Sequence, residues 1–275
     1  MGWELTEDVE AFAATAGDFL RSRPVQHTVL LTLVGTLRRR GLHAYGPGLP
    51  IFGVWRSSSG LVDGVLLQTP PHPMMFSGLP AAAVPAAVEA LRGRALSGVN
   101  MTVGDAEVFL AGWPAPATVK MRTRLHELGT LTPSPVPPGT ARPAVAADRD
   151  LLLSWHRAFY DEIGEEHSGD FGPIIDDRIE SGGVTVWEDG SAVSMAIRSR
   201  IETGMVRIQL VYTPPASRGR GYAGAATTVA TRSALDLGAT QVVLVTDLAN
   251  PTSNALYQRL GYRAVEDRTV VEFTS

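Results

Sequence analysis

Seven residues, Arg218-Gly219-Arg220-Gly221-Tyr222-Ala223-Gly224, separate an apolar run from Met205 to Thr213 from an alanine-rich stretch between Ala225 and Leu237. That order reads as strand, loop and helix. Glycines let backbone amides approach a ligand with no Cβ in the way. The helix that follows aims its unpaired N–H groups and the positive end of its dipole at the same place. The turn is therefore expected to cradle an anion, above all a pyrophosphate, with Arg218 or Arg220 adding charge from the side. A tight strand-to-helix turn without a ligand is the plainer alternative.

Gly219, Gly221 and Gly224 also spell G-x-G-x-x-G, and Asp247 closes the next apolar run, Gln241 to Thr246, where a ribose-binding acid would stand in a dinucleotide fold. The spacing argues against that reading. A Rossmann turn begins at the strand end, whereas here Pro214-Pro215-Ala216-Ser217-Arg218 intervenes, and neither proline can donate to a sheet ladder.

The stretch from Asp247 to Tyr262 reads as a short capped helix, with Asn250 at the N-cap, Pro251 in the first turn and Gly261 as the stop. At helical spacing Leu256 and Leu260 share an apolar face, Ser253 and Tyr257 lie along its edge, and Asn254 lies further round. Tyr257 is thereby free to point into a cleft, although a lone tyrosine so placed is commonly a half-buried core residue.

Loop and helix together resemble the GNAT superfamily of acetyl-CoA-dependent N-acetyltransferases, whose R/Q-x-x-G-x-G/A pattern is met by Arg218, Gly221 and Ala223. The resemblance spans Met205 to Phe273 and weakens back to about Gly139. It implies an α/β (α+β) fold of mixed, mainly antiparallel sheet flanked by helices, with acetyl-CoA as cosubstrate and no metal. By the same resemblance the strand before the loop splays from its neighbour. Its backbone at Val211, Tyr212 and Thr213 would then pair with the pantetheine arm, and one N–H would polarise the thioester carbonyl. The loop residues Arg218, Gly219, Arg220, Gly221, Tyr222, Ala223 and Gly224 would hold the phosphates. An asparagine, Asn250 or Asn254, would face the coenzyme from the later helix with Ser253 and Tyr257, and Tyr257 would protonate the departing thiolate.

An amine nucleophile must be neutral, so a base or a desolvating pocket is needed. Where many members carry a glutamate on the strand before the loop, this chain has Arg207 and then Gln209, and the base stays unassigned. Glu162, Glu165, Glu166 and His167 are expected on a loop bordering the cleft. A solvated loop is the commoner fate of such residues, and a bound water is an equal candidate for the base; Asp161, Glu162, Glu165, Glu166 and Asp170 together form an acidic cluster that favours a positively charged amine. A small-molecule or peptide amine is the expected acceptor. A non-catalytic, acetyl-CoA-binding regulatory module is the competing reading.

Thr132-Pro133-Ser134-Pro135-Val136-Pro137-Pro138-Gly139 reads as an extended linker, dividing the chain into residues 1–131, the linker 132–139, and a catalytic part 140–275. Each part gives two helices, three strands, helix, strand, helix, strand, the pattern of a tandem duplication. In the first part Gly78-Leu79-Pro80 takes the place of the glycine loop, too short and with a proline that removes a donor. That half is expected to be degenerate and without coenzyme. A helix capped by Asp148 and carrying Leu152, Trp155, Phe159 and Ile163 on one face opens the second part.

A formal net charge of −4 and a pI near 5.9 give no electrostatic case for nucleic acid or an anionic membrane. With no cysteine there is neither a disulfide nor a thiolate ligand. Met1-Gly2-Trp3-Glu4-Leu5-Thr6 meets a loose myristoylation pattern common by chance, acids occupy the segment before Phe12, and Val29 to Leu37 is too short to span a bilayer, so a cytoplasmic protein is expected. Monomer and homodimer both remain open.

Overall fold

The computed structural model describes residues 1–164 and 170–274. In chain order its first elements are β1 (Gly2–Thr6), α1 (Val9–Ser22), α2 (Thr28–Arg40), β2 (Ile51–Arg56), β3 (Val62–Gln68), β4 (Met74–Phe76), α3 (Ala83–Leu91), β5 (Gly98–Thr102), α4 (Val103–Gly112) and β6 (Ala117–Leu128). There follow β7 (Thr140–Pro143), α5 (Arg149–Ile163), α6 (Gly172–Glu180), β8 (Val184–Glu188), β9 (Ala192–Arg198), β10 (Met205–Tyr212), α7 (Tyr222–Asp236), β11 (Gln241–Asp247), α8 (Pro251–Arg259) and β12 (Tyr262–Phe273). They form two compact units. Unit 1 comprises Met1–Leu125 with Asp247–Ala249 and Val265–Ser275, and unit 2 comprises His126–Thr246 with Asn250–Ala264. β6 and β12 each pass from one unit into the other.

In unit 1, β1, β2, β3 and β4 pair antiparallel in that order, β4 pairs parallel with β5, and the C-terminal part of β12 continues the row antiparallel to β5 from Arg268–Thr102 to Glu272–Gly98, with β6 beside it. The sequence of β3 shows why helices must cover both faces. Val65 and Leu67 join Phe12, Leu20, Leu30 and Leu37 of α1 and α2, while Leu66 joins Val84, Val88, Leu91 and Phe109 of α3 and α4. Successive strand side chains alternate faces, so a run buried at every position requires two apolar layers.

Unit 2 repeats the scheme. β7, β8, β9 and β10 are antiparallel in order and β10 is parallel to β11. Met195 and Ile197 of β9 pack with Leu152, Trp155 and Ile175 of α5 and α6, whereas Ala196 packs with Tyr222, Ala226 and Ala230 of α7. Small side chains along α7 let its backbone lie close to the sheet. The expected mixed, mainly antiparallel sheet flanked by helices is thus what each unit contains.

Local differences from expectation have physical causes. β1 turns Trp3 and Leu5 toward the α3 and α4 layer, so the residues that meet the myristoylation pattern form an edge strand against β2. Asp148 occupies the position before α5 but makes no side-chain cap. Its carboxylate accepts from Arg142 (2.7 and 2.8 Å) and from the Val145 amide (2.8 Å). Glu162 lies in the last turn of α5 rather than on a loop. Residues 132–139 have no regular secondary structure and lie along unit 2, where the Trp187 indole donates to the Pro138 carbonyl at 2.9 Å. Among the described residues no helix is long and apolar enough to cross a membrane.

Candidate active site

The parallel register of β10 and β11 runs from Met205–Gln241 to Ile208–Leu244 and ends there, although β10 continues to Tyr212 and β11 to Asp247. A register shift between Ile208 and Leu210 interrupts the β9 side of β10 at the same point. An irregularity of this kind bends its strand. The Ser194 hydroxyl on β9 then donates to the Tyr212 carbonyl (3.1 Å) and meets the Thr213 hydroxyl (2.8 Å), holding the end of β10 to β9. Val211, Tyr212 and Thr213 therefore lie where β10 has left β11.

Beyond them Pro215–Ser217 form one 3-10 turn, and Gly221 takes up the N-cap of α7 in the left-handed region, φ 87 and ψ −2. Gly219 also has positive φ (77), and the space its Cβ would take is open. A side chain at either position is strained. The Ala225 amide already donates to the Gly221 carbonyl, so the first turn of α7 presents its earlier amides, those of Tyr222, Ala223 and Gly224. Gly224 has a second reason to be glycine, since an added Cβ would lie 3.1 Å from Ser134 Oγ and 3.2 Å from Leu256. The segment read as a linker thus lies against the first turn of α7. Tyr222 is buried, and its hydroxyl donates to Asp189, which raises its pKa.

The two loop arginines differ. Arg220 is exposed. Arg218 was expected to flank an anion, but its Nε donates to the Thr213 carbonyl (2.8 Å) and its Nη2 to both oxygens of Glu162 (2.6 and 2.7 Å), with the guanidinium 5.9 Å from the Tyr212 ring centre. Burial first, and then the Glu162 carboxylate, push the Tyr212 phenol up. Glu165, Glu166 and His167 lie outside the described residues.

On α8, the Asn250 side chain accepts from the Ser253 amide at 3.0 Å, the expected cap. Asn254 is committed to the fold. Its amide nitrogen donates to the Asn250 carbonyl (2.8 Å), and its oxygen accepts from Thr246 (2.6 Å), whose hydroxyl also meets Nε2 of buried His126 (3.1 Å). This chain of bonds fixes α8 against the end of β11; Thr246 and His126 carried no signal in the sequence, since each becomes informative only through its partner. Tyr257 packs on the α7 core, its ring edge-on to Tyr262 at 6.1 Å, and among the described residues its hydroxyl makes no hydrogen bond. Burial pushes its phenol up to about 12. Asp247 accepts from the Ala249 amide, a local turn. Among the described residues no group of three or more His, Asp or Glu is placed to hold a metal ion.

No curated protein matches this chain significantly. Solved structures share its fold along nearly the whole length. An acetyltransferase of the GNAT family from Colwellia psychrerythraea has a TM-score of 0.64 at 11% identity, covering 100% of both chains. A GCN5-related N-acetyltransferase from Sphaerobacter thermophilus has 0.62 at 13%, covering 98% of this chain and 94% of that one. A tandem GNAT protein from the clavulanic acid biosynthesis pathway has 0.57 at 13%, covering 98% and 97%. At these identities the likeness is one of fold. Residues 149–262, which carry the splayed strand, the glycine turn and the Tyr257 helix, match the model of the acetyltransferase (GNAT) family.

Proposed function

We propose that unit 2 is an N-acetyltransferase that passes an acetyl group from acetyl-CoA to an amine by direct attack in a ternary complex. The observation that carries this reading is the end of the β10–β11 register at Ile208–Leu244, followed directly by a left-handed glycine turn and the amides of α7. A strand edge there can pair with an amide-bearing arm, and the helix start can take a pyrophosphate. The turn fits such a group, because the space beside Gly219 is open. Acetyl-CoA, when bound, supplies an activated thioester.

In this reading a backbone N–H among Val211, Tyr212 and Thr213 donates to the thioester oxygen as charge builds on it. The amine nitrogen forms a bond to the carbonyl carbon, the carbon–sulfur bond breaks, and the ammonium proton leaves to water or an acceptor still unassigned. Tyr257 donates its hydroxyl proton in a hydrogen bond to the departing sulfur. A phenol near pKa 12 stays protonated across the physiological range. Full transfer to a thiolate with an ordinary thiol pKa of about 8.5 is uphill, so the hydroxyl acts chiefly as a hydrogen-bond donor whose proton moves late. With Glu162 paired to Arg218, that carboxylate adds little net attraction for a cationic acceptor. A small-molecule or peptide amine is the acceptor class. Arg207 and Gln209, where a carboxylate would serve as base, favour the second reading, a module that binds acetyl-CoA without turnover.

Unit 1 we read as a degenerate copy without coenzyme. Three observations support this. The Leu79 amide, at the place of the glycine loop, donates to the Asp105 carboxylate at 3.1 Å, which removes an amide and adds a negative charge where a phosphate would lie. Pro80 lacks an amide altogether. Where β4 ends, the Arg268 guanidinium donates to the backbone carbonyls of Phe76 and Asn100 and to the Asn100 side chain, filling the gap between β4 and β5. Titration calorimetry with acetyl-CoA tests both readings: one site per chain is expected, abolished by Gly221→Asp, and two sites or binding that survives this substitution would contradict them.

A further inference from the structure

At the end of β10 one guanidinium ties together elements that are distant in sequence. Arg218, in the loop before α7, donates to the Thr213 carbonyl and to both carboxylate oxygens of Glu162 in the last turn of α5. The Tyr212 hydroxyl donates to the same carboxylate at 3.5 Å, and the Tyr212 ring lies beneath the guanidinium at 5.9 Å. An exposed ion pair by itself contributes little. Here the cation is also fixed by a backbone carbonyl and an aromatic face, so its orientation is set from three sides.

We propose that Glu162 is a positioning residue: through Arg218 it clamps the end of β10 where β11 no longer supports it, and so helps set where the amides of Val211, Tyr212 and Thr213 stand. The inference deepens the acetyl-transfer reading and rests on it for its kinetic consequences. Beyond Ile208–Leu244 this segment has lost β11 but stays paired to β9 at Val211–Ala196 and Tyr212–Met195, so β9 with Ser194 holds one edge and this clamp holds the strand's end. Donors aimed at a developing oxyanion act only when held in place beforehand. Glu162 is not the base in this account, since its two oxygens are occupied by the cation it holds.

Hydrogen exchange of the segment 210–213 reads the clamp without any turnover. Glu162→Gln and Arg218→Gln are each expected to speed exchange there by about threefold to tenfold, the scale of one ordinary net hydrogen bond at an exposed pair, and the double variant no further. In turnover each single variant and the double should lower kcat by a similar factor, with acetyl-CoA affinity held within about twofold. Unchanged exchange, or effects that add in the double variant, would overturn the clamp. So would a pH profile of kcat/KM whose acid limb disappears in Glu162→Gln and persists in Arg218→Gln, for Glu162 would then be the base. If no amine is acetylated the acetyl-transfer reading fails, and exchange still decides the clamp.

Discussion

Whether Tyr257 acts on the leaving sulfur or only fills space turns on one oxygen atom. Its ring belongs to the α7 core, and its hydroxyl has no hydrogen-bond partner among the described residues. Tyr257→Phe keeps the packing and removes only that donor. It should lower kcat by about a hundredfold, the lower end of what positioned proton donors contribute, with the acetyl-CoA dissociation constant almost unchanged. Thiol-release kinetics beside calorimetry checks this, and a variant that loses affinity but not turnover would make Tyr257 a packing residue. Residue identities in the glycine turn were readable because positive φ selects glycine, as at Gly219 and Gly221. The direction of Arg218 was not readable. Its partner Glu162 stands 56 positions away, and a side chain with five donors shows nothing locally about which acceptor it will meet.

Elements with strong periodicity were legible, and edge elements were not. α5 and the β8–β9–β10 meander follow from apolar spacing and turn residues. β7, Thr140–Pro143, has only Thr140 to favour a strand and forms because β8 offers an unpaired edge. β1 has an alternating Trp3 and Leu5, but in five residues that pattern is weak. Between α1 and α2 a buried histidine contributes a pH dependence. His27 is 2% exposed, lies 4.8 Å from the Phe19 ring and bonds the Leu20 carbonyl, and burial pulls its pKa below the ordinary 6.5. The unfolded chain therefore binds a proton that the folded chain resists, and stability falls as pH drops through about 6.5 toward the lower folded value. Urea unfolding should show a smaller loss between about pH 7.5 and about pH 5.5 for His27→Gln than for the wild type, and parallel losses would assign the acid sensitivity elsewhere.

Across the whole chain, the repeated order of helices and strands was readable, because each unit carries the same succession of helical and strand periodicities. The course of β12 was not. Nothing in Tyr262–Phe273 shows that its last residues pair with β5, some 170 positions earlier, since that register comes from long-range closure. Arg268 enters unit 1 by this route, and its loss leaves the Phe76 and Asn100 carbonyls without their donor. Arg268→Met should cost about 2–4 kcal/mol in urea unfolding, since it strands buried acceptors, while acetyl-CoA affinity stays as in the wild type. A weakened coenzyme site would mean that unit 1 contributes to binding after all. If the glycine turn of unit 2 holds acetyl-CoA for transfer to an amine, thiol release from acetyl-CoA across a panel of amines is the deciding measurement. The wild-type chain should give amine-dependent release that Gly221→Asp abolishes; tight acetyl-CoA binding with no release for any amine, or release that survives Gly221→Asp, would rule acetyl transfer at this turn out.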